Sequence, residues 1–183
     1  MSKKIVITGG IGYIGTELCK IYSGISWNNE ILVIDNRFIS ERVNQLRNWG
    51  IDFVHGDILD KNLVNKYCKD SDIVHHLAGI TDVPRVKNES SDDKDSKIKL
   101  VAEEGTQNIL DAISDKCKII FPSTHVVFEG IGKVTNDILE EEDTKPILSY
   151  AISKAINEKQ LKNSGKNYII LRLGSVYGYS TDT

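Results

Sequence analysis

The sequence predicts an α/β fold, a doubly wound parallel sheet with helices on both faces. Three observations predict it. Short runs rich in β-forming residues alternate with amphipathic stretches along the whole chain. Most of those runs are continuously apolar rather than alternating, as strands covered on both faces should be. A glycine-rich turn also separates the first apolar run from the first helical pattern, the order of a strand, turn and helix that opens such sheets.

The first strand is expected at Lys4–Thr8, around Ile5-Val6-Ile7, and the turn TGGIGYIG follows at Thr8–Gly15. A helix over Gly15–Ser23 comes next, because Leu18, Ile21 and Tyr22 fall on one face. Further strands are expected at Glu30–Asp35, Asp52–His55, Ile73–Leu77, Lys118–Pro122 and Tyr168–Arg172. Between them, helices are expected over Ser40–Asn48, Lys61–Lys69, Ser96–Ser114 and Ser149–Asn163. Two charge-rich stretches, Ser90–Lys97 and Leu139–Lys145, read as solvated connections.

With 183 residues the chain is long enough for one well-buried domain and short for two. A net charge of −3, with scattered lysines and arginines, gives no electrostatic footprint for nucleic acid or an anionic membrane. Glycines end the apolar start after four residues, and no segment approaches a membrane span, so a soluble cytoplasmic protein is expected. Cys19, Cys68 and Cys117 are isolated and odd in number, which suits buried thiols in a reducing compartment. His75 and His76 are adjacent in a strand and point to opposite faces, which precludes a shared metal; one is expected in the core and the other at a crevice. No metal site is expected.

The glycines of the first turn allow a tight bend, close approach of a pyrophosphate to the backbone, and close packing of helix on strand. Gly9, Gly12, Tyr13, Ile14 and Gly15 would then present a helix N-terminus to an anion. Asp35, at the end of ILVID, is placed to accept hydrogen bonds from an adenosine ribose and to repel a 2′-phosphate. NAD is therefore favoured over NADP, with Arg37 nearby weakening that preference. Tyr150 and Lys154, four apart in YAISK, project from one helical face, where an ammonium would favour the phenolate. Ser123-Thr124 follows an apolar strand, so the Thr124 hydroxyl can face Tyr150 beyond the strand's carboxyl end. Thr81 is placed on the substrate side of the same region, and His125 either touches substrate or caps the strand.

These residues resemble the extended short-chain dehydrogenase/reductase family, in particular its NAD-dependent epimerase/dehydratase group acting on nucleotide sugars. The likeness covers essentially the whole chain and implies a Rossmann-type domain. TGGIGYIG is similar to the family's nucleotide turn, Asp35-Asn36 to its ribose-binding strand end, and Gly56-Asp57-Ile58 to the segment that meets adenine. Leu77-Ala78-Gly79 resembles the cofactor loop after strand four, Gly105-Thr106 with Asn108 the helix that follows, and Val176-Tyr177-Gly178 the stretch after strand six. Thr124, Tyr150 and Lys154 match the active-site hydroxyl and the catalytic pair. The resemblance implies hydride transfer between a sugar carbon and NAD. Tyr150 would be acid or base, Thr124 would assist the sugar oxygen, and Lys154 would tune Tyr150 and bind ribose. A homodimer through the helices near Ser96–Ser114 and Ser149–Asn163 is implied in the same way.

The likeness has departures. Ala102, three before Gly105, and Ser175 stand where the family usually has asparagine. Family members continue into a smaller substrate domain, so residues 1–183 are expected to hold the cofactor domain alone, binding NAD but turning over nucleotide sugar poorly or not at all. Two other readings stay open: an enzyme like dTDP-4-dehydrorhamnose reductase, suggested by Ser123–Gly130 and the stretch up to Lys154, and a non-catalytic NAD-binding module, suggested by Ala102 and by the expected absence of the substrate domain.

Overall fold

The structure is a computed structural model that describes residues 2–25, 28–81, 92–131 and 143–178. Ser90 and Ser91 of the first charged stretch and the 139–142 part of the second lie outside the described residues. Among the described residues six parallel strands form one sheet: β1 (Lys4–Thr8), β2 (Glu30–Asp35), β3 (Asp52–His55), β4 (Ile73–His76), β5 (Lys118–Thr124) and β6 (Asn167–Leu173). Their order is β3-β2-β1-β4-β5-β6, so the winding reverses between β1 and β4 and opens a crevice at the carboxyl ends of those two strands.

The continuous apolar runs divide their side chains between two cores. Ile5 and Ile7 of β1, with Val33 of β2, pack with Cys19 of α1 (Tyr13–Ser23) and Leu46 of α2 (Ser40–Asn48). Val6, Leu32 and Ile34 instead join Val64 of α3 (Lys61–Cys68) and Leu161 of α6 (Ser149–Asn163), together with Phe121 and Ile119 of β5. The period of two thus shows in which core each residue enters rather than in polarity. Asp60 caps α3, its carboxylate accepting from the Asn62 and Leu63 amides at 3.0 and 3.1 Å.

Three differences from the sequence reading concern the site. First, the helix expected from Ser96 begins earlier, as α4 (Asp92–Leu100), so part of the charged stretch read as a connection is helical. It then widens into a π turn at Val101–Gly105 before continuing as α5 (Thr106–Ala112). Second, β5 runs two residues past Pro122, through Ser123 and Thr124, paired with Arg172 and Leu173 of β6. Pairing with β4 stops at Ile120, so the missing N–H of Pro122 interrupts no bond on that side. Third, both histidines of β4 are interior: His75 is bonded to the Tyr22 hydroxyl at 2.7 Å and His76 is 1% exposed, and neither reaches a crevice.

β6 is an edge strand, and Tyr168, Ile169 and Leu171 on it are exposed. All three cysteines are buried and unpaired, and burial pushes the Cys19 and Cys68 thiols up to about 12. Among the described residues no helix is long and apolar enough to cross a membrane, and no His/Cys/Asp/Glu group could hold a metal ion.

Candidate functional site

A cleft of about 890 Å³ opens at the reversal of strand order. It is lined by Gly9, Gly12, Tyr13, Ile14 and Gly15 of the first turn, Asp35 and Asn36 after β2, Asp57 and Ile58 after β3, and Leu77, Ala78, Gly79 and Thr81 after β4. Thr124, Tyr150 and Lys154 complete it from β5 and α6. Gly105, Thr106, Asn108, Tyr177 and Gly178, matched to the family above, do not line it, and neither does His125. That ring is exposed and lies 3.1 Å from the Leu173 carbonyl through Nδ1, at the end of β6, so it braces two strand ends.

The first turn has the glycines its geometry demands. Gly9 sits at φ +71°, and a Cβ there would meet the Ala78 nitrogen at 2.7 Å. A Cβ on Gly15 would meet Gly10 Cα at 2.6 Å, so the helix can approach the turn only with hydrogen at that position. The bend is closed by Gly12 N–H donating to the Gly9 carbonyl at 3.0 Å, and α1 starts at the next residue with its first turn facing the cleft. This backbone cradle suits a pyrophosphate.

Asp35 is 5% exposed and is oriented on both oxygens. Oδ2 accepts from the Ile11 amide at 3.2 Å, and Oδ1 from the Arg37 amide at 3.0 Å and Arg37 Nε at 3.4 Å. Arg37 also lines the cleft, so a cation stands beside the carboxylate. Asn36 Nδ2 donates to Asp57 Oδ2 at 3.0 Å, and Asp57 Oδ1 accepts from the Leu59 amide at 3.0 Å. The two segments that would flank an adenosine are thereby tied together. Gly105 packs directly on this region: a Cβ there would lie 2.4 Å from Ile58 Cδ1.

At the other end, Lys154 is 8% exposed, and its ammonium donates to the Pro122 carbonyl at 2.9 Å while lying 4.5 Å from the Phe121 ring centre. Burial lowers its pKa to about 8. The Tyr150 ring centre is 5.8 Å from Lys154 Nζ. Burial raises the Tyr150 phenol above its ordinary value, the opposite direction from that expected of an adjacent ammonium. Burial is the cause of the shift, and the Lys154 ammonium lies over the ring. Thr124 Oγ1 accepts from the Val126 amide at 3.2 Å, which leaves its hydroxyl hydrogen for another acceptor. Glu129 accepts from the Ile147 and Leu148 amides at 2.5 and 2.6 Å and so holds the start of α6.

Sequence reasoning missed Lys94 and Lys97, which line the cleft from α4; their charge density made them look like part of a solvated loop. Ser123, also in the lining, is turned away to Glu158, to whose Oε1 its hydroxyl donates at 2.6 Å. Ala102 has no polar side chain, yet its carbonyl accepts from Asn157 Nδ2 at 2.8 Å, so an amide reaches this point from α6.

The sequence profile described as the NAD dependent epimerase/dehydratase family matches residues 5–183. Among curated relatives, the chain is 30% identical over 189 residues to UDP-N-acetyl-alpha-D-glucosaminuronate decarboxylase of Bacillus cytotoxicus, covering 97% of this chain and 56% of that protein. Among solved structures, it superposes with a TM-score of 0.80 and 27% identity on the Bordetella bronchiseptica enzyme WbmH in complex with NAD+, covering 100% of this chain and 59% of that one. UDP-glucose 4-epimerase from Brucella ovis in complex with NAD gives 0.73 and 29%, covering 93% and 51%. The chain thus spans about half the length of the relatives it matches.

Proposed function

The chain belongs to the NAD dependent epimerase/dehydratase family, and from that premise we propose that its cleft holds NAD and that Tyr150, Lys154 and Thr124 perform acid–base chemistry on a hydroxyl of a nucleotide sugar. The observation that carries this reading is the convergence of the glycine turn, Asp35 and these three side chains on one cleft at the reversal of strand order. Two of the relatives named above, UDP-N-acetyl-alpha-D-glucosaminuronate decarboxylase and UDP-glucose 4-epimerase, carry nucleotide sugars in their names, which supports the substrate class.

NAD, when bound, would supply the hydride acceptor and donor. The amides of the first turn would hold its pyrophosphate and Asp35 would accept from the adenosine ribose. The Lys154 ammonium, fixed on one side by Pro122, would present its remaining hydrogens to the second ribose. Thr124 would donate to the sugar oxygen, while Tyr150, protonated in its buried setting, would exchange a proton with it. Lys154 would favour the phenolate whenever Tyr150 gives up that proton. Three buried, unpaired thiols support a reducing cytosol as the setting.

Calorimetric titration of the 183-residue chain tests the reading. Saturable heat is expected with NAD, with affinity about tenfold lower for NADP because Asp35 faces its 2′-phosphate. A folded chain that gives no heat with either dinucleotide refutes it.

A further inference from the structure

A continuous line of buried polar groups runs beneath the cleft from the first turn to α6. Thr8, the residue before Gly9, is fully buried, and its Oγ1 accepts from the Ala78 amide at 3.3 Å and lies 3.0 Å from His76 Nδ1. His76 Nε2 lies 2.9 Å from Thr106 Oγ1. Thr106 in turn accepts from Asn157 Nδ2 at 2.9 Å, and the same amide nitrogen donates to the Ala102 carbonyl of the π turn at 2.8 Å. Gln160 repeats the pattern one turn later, donating to the Glu103 carbonyl at 2.9 Å.

The chemistry of the line leaves little freedom. Burial, reinforced by the charge of Lys154, lowers the His76 pKa to about 3, so the ring is neutral and carries one N–H. One threonine must donate to it and the other must accept. Water has no access to replace a lost partner: Thr8 and Thr106 are 0%, His76 1% and Asn157 4% exposed. A widened helical turn is also an unusual surface for another helix to dock on, and here α6 docks through two side-chain amides bonded to its carbonyls.

Asn157 stands three residues after Lys154 on α6, so its side chain emerges about one turn below the lysine. The Lys154 ammonium rests on a floor formed by the Phe121 ring, which packs 5.6 Å from the His76 ring. The depth at which α6 sits against this floor sets the height of Lys154 Nζ in the cleft. We infer that Asn157 is a positioning residue for Lys154: its bonds to Ala102 and Thr106 fix α6 against the π turn and so hold the ammonium at the level of the bound dinucleotide. This rests on the reading that Lys154 holds the cofactor.

A double-mutant cycle on NAD affinity tests it, with folding of each variant checked by circular dichroism. Lys154→Ala should weaken NAD. Asn157→Ala should weaken it about tenfold in the native background and by less than twofold in the Lys154→Ala background, because it acts through the lysine. Asn157→Ser, which keeps one short donor and stands in should the alanine variant not fold, should give a smaller loss that also vanishes without Lys154. Equal losses in the two backgrounds would mean that Asn157 only supports the fold, and an unchanged affinity in the native background would equally overturn the inference while leaving the cofactor reading intact. If Lys154→Ala itself binds NAD as the native chain does, the cofactor role of the lysine fails and this inference with it.

Discussion

Arg172 grips Glu158 at two points, Nε donating to Oε1 at 3.0 Å and Nη2 to Oε2 at 2.7 Å, and so fastens β6 to α6 one turn beyond Lys154. The carboxylate is 2% exposed and also takes the Ser123 hydroxyl. Burial alone would raise its pKa, but hydrogen bonds from Arg172 and Ser123 hold it below the ordinary value. The Arg172 guanidinium in turn stacks 4.8 Å from the centre of the Phe128 ring.

Breaking this pair on one side should be costly. Glu158→Gln removes the carboxylate charge from a two-point pair whose guanidinium is 14% exposed, and a loss of about 3 kcal/mol is expected in urea unfolding. Replacing both partners with leucine should recover part of that loss, since the guanidinium charge leaves together with the carboxylate. A double variant less stable than Glu158→Gln would contradict this account.

Two glycines with nearly the same backbone should respond differently to alanine. Gly9 and Gly50 have φ of +71° and +70°, but a Cβ on Gly9 would strike the Ala78 backbone while one on Gly50 meets none of the described residues within 4 Å. Gly50→Ala is expected to cost about 1 kcal/mol, the conformational penalty alone. Gly9→Ala adds a backbone collision, so a loss of about 3 kcal/mol or more is expected. Thermal melts of the two variants side by side check the difference.

The interior imidazoles should make the fold acid-sensitive. Burial lowers His75 to about 4 and His76 to about 3, against about 6.5 in an unfolded chain. Between pH 6.5 and 4 the unfolded chain binds more protons, so the stability these neutral rings contribute is complete above pH 6.5 and falls as pH falls. Each ring adds a slope of up to about 1.4 kcal/mol per pH unit. His75→Phe should remove one of the two contributions. Urea unfolding at pH 6.5, 5.5 and 4.5 should therefore show the stability gap between native and variant chains shifting in the variant's favour as pH drops; a constant gap would refute the assignment.

Much of the fold and cleft was legible because its signals are local. The apolar runs of β1, β2 and β5 and the glycines between Gly9 and Gly15 need no distant partner to be recognised. The π turn at Val101–Gly105 was not legible, since the side chains that support its carbonyls, Asn157 and Gln160, lie more than fifty residues away. Lys94 and Lys97 were hidden by the acidic residues around them, which suggested solvent rather than a cleft. The direction of the Tyr150 pKa escaped for a related reason: four-residue spacing brings Lys154 near, but only packing reveals how far burial opposes it. His125 follows Thr124 in sequence yet turns to Leu173 because β5 and β6 end side by side.

The seclusion of Cys19, Cys68 and Cys117 has a practical corollary. With burial covering all three thiols and raising their pKa values, a maleimide dye at neutral pH should react far faster with an exposed cysteine than with any native one on the folded chain. Tyr177 is 92% exposed and adjoins Val176 on the rim of the cleft. A Tyr177→Cys variant would thus carry a single fluorophore at the mouth, without any need to strip the interior of its own cysteines.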